Sequence, residues 1–391
     1  MEKPFIQAPR AALLTFIERA SHCAAQKTNL PALGMTALWL KGDDLHGAST
    51  NIDNAFSTKI TCDNSGGNFE ILINGELLRR RIDVMPVGDI RLEIVNGTSR
   101  MRVTSLTSPR RFELIGMPFW EAKEIPSPPT TGRVQMLASD FRRLLGSVKH
   151  AVSTDATKIV SSALFGWKKD RLVSVGTDGH RLMFSSTNKC QEEWSFPDAL
   201  IRQESMPNLL RVLEWAEKVG GADVLVDVVV GETMFVTTNV GTYSTKLSTS
   251  GYVSYENLLE GAKGGNRVRT TANRAALTNA LRAVGMVAAD EGGVEVTVGD
   301  GLLKLEAKSP TTGEATDELP CDYFGTPVGV RLQQKYLVDL LETLTSNDVM
   351  LSIGDRLDVV FVAPYPTNES MEHTALIMPM NIGTKGKENP N

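Results

Sequence analysis

Apolar side chains fall on helical spacing at three places along this chain. Leu13, Phe16, Ile17, Ala20 and Ala24 follow i, i+3, i+4, i+7 and i+11. Phe141, Leu144, Leu145, Val148 and Val152 repeat that spacing, and so do Leu277, Ala280, Leu281, Val284 and Ala288. Each set paints one face of an amphipathic helix, and Ser139 and Asn273 stand where N-caps belong. The sets are offset by 128 and then 136 residues. A second apolar stripe follows in each interval: Leu78, Ile82 and Met85; Met206, Leu209, Leu210 and Leu213; Leu337, Leu340, Leu341 and Leu344. Behind each second stripe come paired alternating stretches, "IRLEIVNGTSRMRVTS", "VLVDVVVGETMFVTT" and "VMLSIGDRLDVVFVAP". Asn96-Gly97, Gly231-Glu232 and Gly354-Asp355 sit where tight hairpin turns are needed.

This patterning predicts an α+β chain of three tandem repeats of about 130 residues. Each repeat reads strand, helix, strands, helix, strands, with roughly six to eight strands. The Pro-rich "IPSPPTTG" and Gly-rich "EGAKGGN" mark linkers. The expected domains are therefore 1–129, 130–262 and 263–382, with 383–391 as a flexible tail.

Composition adds little. The 391 residues are 41% hydrophobic and 22% charged, an ordinary globular balance. The four cysteines are far apart, with no CxxC pair, which points away from zinc sites and disulfide frameworks. With no signal-peptide pattern and no long apolar run, a cytoplasmic protein is expected. Charge is more informative when divided. The six helical stretches carry +2 (9–27), +1 (74–83), +2 (139–150), −1 (204–218), +2 (273–288) and −1 (332–346). Together they hold +5, which leaves −10 for the rest of a chain of net −5. Basic helices against acidic strands and loops suit loose contact with a polyanion.

The densest polar cluster is "TDGHRL", Thr177 to Leu182. An enzyme using Asp178 and His180 is one reading of it. No G-x-S-x-G elbow, HxxxH pair, phosphate loop or dinucleotide fingerprint accompanies it. No cofactor or metal is expected. A hairpin turn at Asp178-Gly179 uses the same residues structurally.

"TDGHRL" resembles the second-domain signature of the bacterial DNA polymerase III β subunit, the sliding-clamp family. The C-terminal "MPM" (Met378, Pro379, Met380), "NLPALG" (Asn29 to Gly34) and "STKL" (Ser244 to Leu247) resemble further stretches of that family, in order along residues 1–382. The resemblance implies three tandem DNA-clamp domains, each with two helices and two antiparallel sheets. It also implies a head-to-tail dimeric ring with helices lining the hole. The implied function is non-catalytic: a processivity factor that encircles double-stranded DNA and tethers the replicative DNA polymerase. A clamp loader, repair or translesion polymerases and a second copy are the other implied partners. The runner-up is a DNA-binding repeat protein that never closes into a ring.

By residue, the resemblance implies a peptide-binding groove at Val160, Thr177, Gly179, His180, Arg181, Leu182, Val253, Leu258, Leu376, Met378, Pro379 and Met380. Lys27 matches a basic inner-face position. Arg79, Arg80, Arg81, Arg142, Arg143, Lys149 and Arg282 are DNA-contact candidates from helix charge. Phe112, Leu114 and Met286 are the implied dimer contacts. Val253, Asn257 and Asn381-Ile382 depart from the family pattern at the groove, and the acidic "VAADEGG" (Val287 to Gly293) departs from a basic segment.

Overall fold

The structure, a computed structural model, describes residues 4–95, 99–130, 132–188, 197–264, 267–288, 293–355, 357–367 and 371–380. The helices described are α1 (Arg10–Ala20), α2 (Gly75–Asp83), α3 (Ala138–Lys149), α4 (Met206–Gly220), α5 (Glu256–Lys263), α6 (Arg274–Gly285) and α7 (Gln334–Thr343). The predicted stripes lie on six of them. In each first helix the fifth stripe residue (Ala24, Val152, Ala288) falls beyond the helix end, as do Met85 after α2 and Leu344 after α7. Asn273 caps α6, its side chain accepting from the Ala276 N–H at 3.0 Å. Ser139 is not a cap, because α3 already begins at Ala138. Asn74 instead caps α2 through the Leu77 N–H at 2.8 Å.

Each repeat opens on a strand that runs into its first helix: Phe5–Pro9, Arg133–Leu137 and Val268–Asn273. A three-strand meander follows, then one strand (preceded in the first repeat by the short Asp63–Asn64), the second helix and a final three-strand meander. The chain nevertheless folds as two compact units, 1–141 with 204–247, and 142–203 with 248–391.

The first unit holds a five-stranded antiparallel sheet in the order Asp63–Asn64, Phe5–Pro9, Asp89–Val95, Arg100–Ser105, Arg111–Ile115. It also holds an eight-stranded sheet in which Gly241–Lys246 pairs with Asn54–Thr61, so that strands of repeats one and two form one ladder. A core of Leu13, Phe16, Ile17, Leu38, Leu78, Ile82, Leu92 and Val103 lies beneath α1 and α2. The second unit repeats the plan. Arg181–Thr187 pairs with Met371–Ile377 in an eight-stranded sheet, and a four-stranded sheet runs Gly313–Pro320, Leu302–Ser309, Val294–Gly299, Val328–Leu332.

Two sequence expectations change. Gly354-Asp355 opens a longer loop between Asp348–Ile353 and Val360–Tyr365, where the Asp355 carbonyl accepts from the Asp358 N–H at 2.8 Å. The "EGAKGGN" linker is helical over its first four residues. Leu259 and Ala262 of α5 bury against a sheet, and that burial outweighs the poor helix propensity of Gly261. Asn96-Gly97 lies outside the described residues.

Gly176, in the strand Arg171–Thr177, packs against the end of α3: a Cβ there would stand 2.5 Å from the Val148 carbonyl oxygen and 3.1 Å from Val152 Cγ2. Gly176→Ala should therefore destabilise the chain by about 1–3 kcal/mol, read as a lower urea midpoint with unchanged far-UV circular dichroism in the folded baseline.

Candidate functional site

The hairpin tip between Arg171–Thr177 and Arg181–Thr187 is built by its own side chains. Thr177 Oγ1 donates to the Arg181 carbonyl at 2.6 Å and accepts from the Gly179 N–H at 3.1 Å. Asp178 Oδ1 accepts from the N–H groups of His180 (2.9 Å) and Arg181 (3.0 Å). Gly179 has φ +93°, a left-handed conformation that a side chain would strain. Asp178 Oδ2 is bonded by Arg181 Nε at 3.0 Å. Both oxygens of Asp178 are thus occupied by the turn, which leaves it unsuited to orient the His180 ring as a catalytic pair would need.

Arg181 is not on the rim of the site. It is 7% exposed, and its guanidinium reaches into the unit. Nη1 pairs with Asp339 Oδ2 on α7 at 2.7 Å, Nη2 donates to the His150 carbonyl just after α3, and the group lies 4.4 Å above the Tyr336 ring. A guanidinium can satisfy two carboxylates, a carbonyl and an aromatic face at once because it is a planar fork of donors. Sequence reading missed Tyr336, Asp339 and His150. A Tyr and an Asp three apart on one helix give no signal until a cation is placed opposite them.

The register of the long sheet then brings distant segments together. Leu182 lies opposite Leu376 and Arg181 opposite Ile377, and the Met378 N–H donates to the His180 carbonyl at 2.8 Å. Leu182, Leu376, Leu164, Val173, Val175, Phe361, Tyr255 and Leu259 form one apolar cluster, with Tyr252 packed against it. The Tyr252 hydroxyl donates to the Val175 carbonyl at 2.9 Å, and burial pushes its pKa up. Val160 and Thr177 are buried, Val253, Pro379 and Met380 half-buried. Leu258 is 54% exposed and Met378 47% exposed, so apolar surface reaches solvent on both α5 and the C-terminal segment. Gly179 and His180 are exposed at the tip. Asn381 and Ile382 and the segment 383–391 lie outside the described residues.

The basic candidates divide by partner. In the first unit Lys27 is exposed, whereas Arg79 and Arg80 share Glu76 at 3.1 and 2.7 Å, and Arg81 stacks 5.4 Å over Phe112. Glu76, Arg79 and Arg80 line a cleft of about 620 Å³ between the end of α1 and the start of α2. In the second unit Arg142 and Arg143 are exposed, Lys149 is half-buried, and Arg282 pairs with Glu342. Exposed pairs of this kind contribute little, about 0–1 kcal/mol, so they can be exchanged for other anions. At the other candidate positions, Phe112 is half-buried on the edge strand Arg111–Ile115, while Leu114 is only 4% exposed and belongs to its own unit's core. Met286, at the end of α6, is 85% exposed. Of "VAADEGG", residues 289–292 lie outside the described residues. Among the described residues no group of three or more His, Cys, Asp or Glu side chains could hold a metal, and no helix is long and apolar enough to cross a membrane.

The model of one protein family, "DNA polymerase III beta subunit, C-terminal domain", matches residues 265–381. Over the whole chain, the similar proteins are bacterial. The chain is 23% identical to the beta sliding clamp of Pseudomonas putida, covering 95% of this chain and 98% of that protein. It is 26% identical to the beta sliding clamp of Synechocystis sp., covering 80% and 82%. Its fold matches the crystal structure of the DNA polymerase III subunit beta from Pseudomonas aeruginosa with a TM-score of 0.87 at 22% identity, covering 97% of this chain and all of that one. The crystal structure of the DNA polymerase sliding clamp from Caulobacter crescentus matches with a TM-score of 0.85 at 19% identity over the same coverage.

Two half-buried histidines in the second unit set a pH dependence. Burial, with Arg181 nearby, lowers the His150 pKa to about 4, and burial with Arg143 lowers that of His373 to about 4, from an ordinary 6.5. Between those values the unfolded chain binds protons that the folded chain refuses, so stability falls as the pH drops from 6.5 to 4. The expected slope is about 1.4 kcal/mol per pH unit for each histidine. Urea midpoints at pH 7, 6 and 5 should decline, and His373→Asn should flatten the decline.

Proposed function

Because the chain belongs to the β sliding clamp family, we propose that it works as a non-catalytic clamp on duplex DNA, closed by two copies joined head to tail. The observation that carries the closure is which strand pairings the single chain leaves open. In the first unit the third strand after the first helix of repeat one (Asn54–Thr61) pairs with the last strand of repeat two (Gly241–Lys246). In the second unit the corresponding strand of repeat two (Arg181–Thr187) pairs with the last strand of repeat three (Met371–Ile377). Two strands of these types remain at sheet edges: Gly313–Pro320 of repeat three and Arg111–Ile115 of repeat one. An open edge is a template for pairing, and a head-to-tail contact between copies satisfies both edges.

The internal joins also suggest the register. Arg181 faces Ile377 and Asn54 faces Thr245, so the first residue of one strand meets the last or next-to-last of the other. Between copies, the first of these registers sets Gly313 against Ile115, Asp317 against Arg111 and Glu318 against Arg110. Ile115 is 74% exposed, and Met286 stands beside the start of the acidic strand, where the Val287 carbonyl accepts from Thr312 Oγ1 at 2.9 Å. In this reading Ile115, Phe112 and Met286 supply the apolar contact, and the Asp317–Arg111 and Glu318–Arg110 pairs fix the register. Leu114 supports the edge from within its own core.

Repeats 1–129, 130–262 and 263–382 are the three domains of this reading. Lys27, Arg142, Arg143, Lys149 and the exchangeable Arg79, Arg80 and Arg282 face the phosphates loosely. Topology rather than affinity then retains the DNA, which a chain of net −5 needs. The apolar surface around Leu182, Leu258, Leu376 and Met378 takes a short, mostly apolar peptide from the replicative polymerase, the clamp loader or a repair or translesion polymerase. Exposed Met378 suits several partners, because thioether side chains adapt their shape.

Sedimentation should find a stable dimer. Arg111→Glu should weaken it by tenfold or more, roughly 1.4 kcal/mol, and Asp317→Arg in the same chain should restore it. A monomer unaffected by either change refutes the closure. Loaded by its loader, the protein should stay on nicked circular DNA in high salt and run off once that DNA is linearised. Equal loss from both forms indicates simple electrostatic binding by an open chain.

A further inference from the structure

A continuous path of polar contacts runs from α7 to the surface assigned above to peptide binding. Asp339 Oδ2 holds Arg181 Nη1 at 2.7 Å, and Arg181 Nε holds Asp178 Oδ2 at 3.0 Å. Asp178 Oδ1 fixes the N–H groups of His180 and Arg181, and the His180 carbonyl accepts the Met378 N–H at 2.8 Å. The Arg181 side chain is 7% exposed, while those of Asp178 and Asp339 are 18% and 23% exposed. Tyr336 covers one face of the guanidinium and the His150 carbonyl takes its remaining fork. Such a cation is compensated only while both carboxylates stay in place.

We infer that Asp339 is a positioning residue for the peptide groove, acting through Arg181 to set the hairpin tip and the Met378 wall, and that Arg181 itself does not touch the peptide. The inference rests on the groove reading above. Its physical content is a coupling: a peptide that seats against Met378 favours the tip conformation that Arg181 and Asp339 already hold. Loosening the tie on α7 therefore costs affinity at a surface that Asp339 does not line. The groups facing Arg181 are Asp178 on its own hairpin, Asp339 and Tyr336 on α7, and the chain after α3 at His150, a side chain that is neutral near pH 7.

The test uses the full-length protein and the tightest member of a fluorescein-labelled library of Leu- and Phe-rich pentapeptides, selected on the unmodified chain. Asp339→Asn should raise the dissociation constant of that probe about tenfold. In amide spectra of the deuterated protein, the signals of Gly179, His180 and Met378 should shift, while those of Leu258 and Leu259 on α5 hold still. Arg181→Lys, which keeps the charge but cannot span two carboxylates, should do the same, and it replaces Asp339→Asn if that variant does not fold. Unmoved Gly179, His180 and Met378 signals, or a probe affinity within twofold of the unmodified chain in a folded variant, overturn the tie. Met378→Ala separates the two readings: if it binds the probe undiminished, the groove reading falls instead.

Discussion

A β-strand at the edge of a sheet leaves a row of backbone donors and acceptors that must be paired or hydrated, and the architecture of this chain follows from how that row is satisfied. Each repeat would end with open edges if it stood alone. Pairing Gly241–Lys246 with Asn54–Thr61, and Arg181–Thr187 with Met371–Ile377, turns separate sheets into eight-stranded ladders. The repeats are therefore covalent modules but not independent bodies, which is why the compact units cut through the second repeat. The same constraint bears on Gly313–Pro320 and Arg111–Ile115, which still stand at sheet edges.

The two joins are built alike but finish differently. In the first unit the end of the join is filled. Tyr243 is fully buried there, its hydroxyl donating to Asn54 Oδ1 at 2.5 Å and lying 3.1 Å from the Ser205 carbonyl, and the Lys246 N–H donates to the Asp53 carbonyl. In the second unit the equivalent end carries a glycine-tipped turn and a chain that leaves the ladder at Met378, so apolar surface stays open beside Leu182 and Leu376. One ladder geometry thus gives a closed joint in one place and an exposed apolar surface, at Met378, in the other. The difference lies in side-chain volume and in where the chain turns away.

Electrostatics divides in the same way between holding and meeting. The Arg181 cluster is buried and spends its charge inside the protein, whereas Glu76 and Glu342 hold their arginines at exposed positions where a phosphate can compete. The basic excess read along the helices is thus part structural and part available. Arg274 adds to the structural share, donating to the Ser346 and Leu341 carbonyls at 2.7 and 3.2 Å.

The sequence by itself determined six of the helices, the threefold order of elements and the grouping of "TDGHRL" with "MPM". These rest on local periodicity, turn chemistry and short motifs, all of which act over a few residues. It misplaced what depends on burial. Glu256–Lys263 is helical because Leu259 and Ala262 find a sheet to cover, and Leu114 is core because its strand turns that face inward. It could not distinguish an exposed Arg181 from a buried one, since that depends on Asp339 and Tyr336, about 155 residues away. Only the tertiary structure decided which strands join across repeats, which are left open, and that the most polar motif in the chain is held together by its own hydrogen bonds. Strand pairing and burial are non-local, and their outcome is set by register and packing between segments whose separation in sequence carries no trace of the contact.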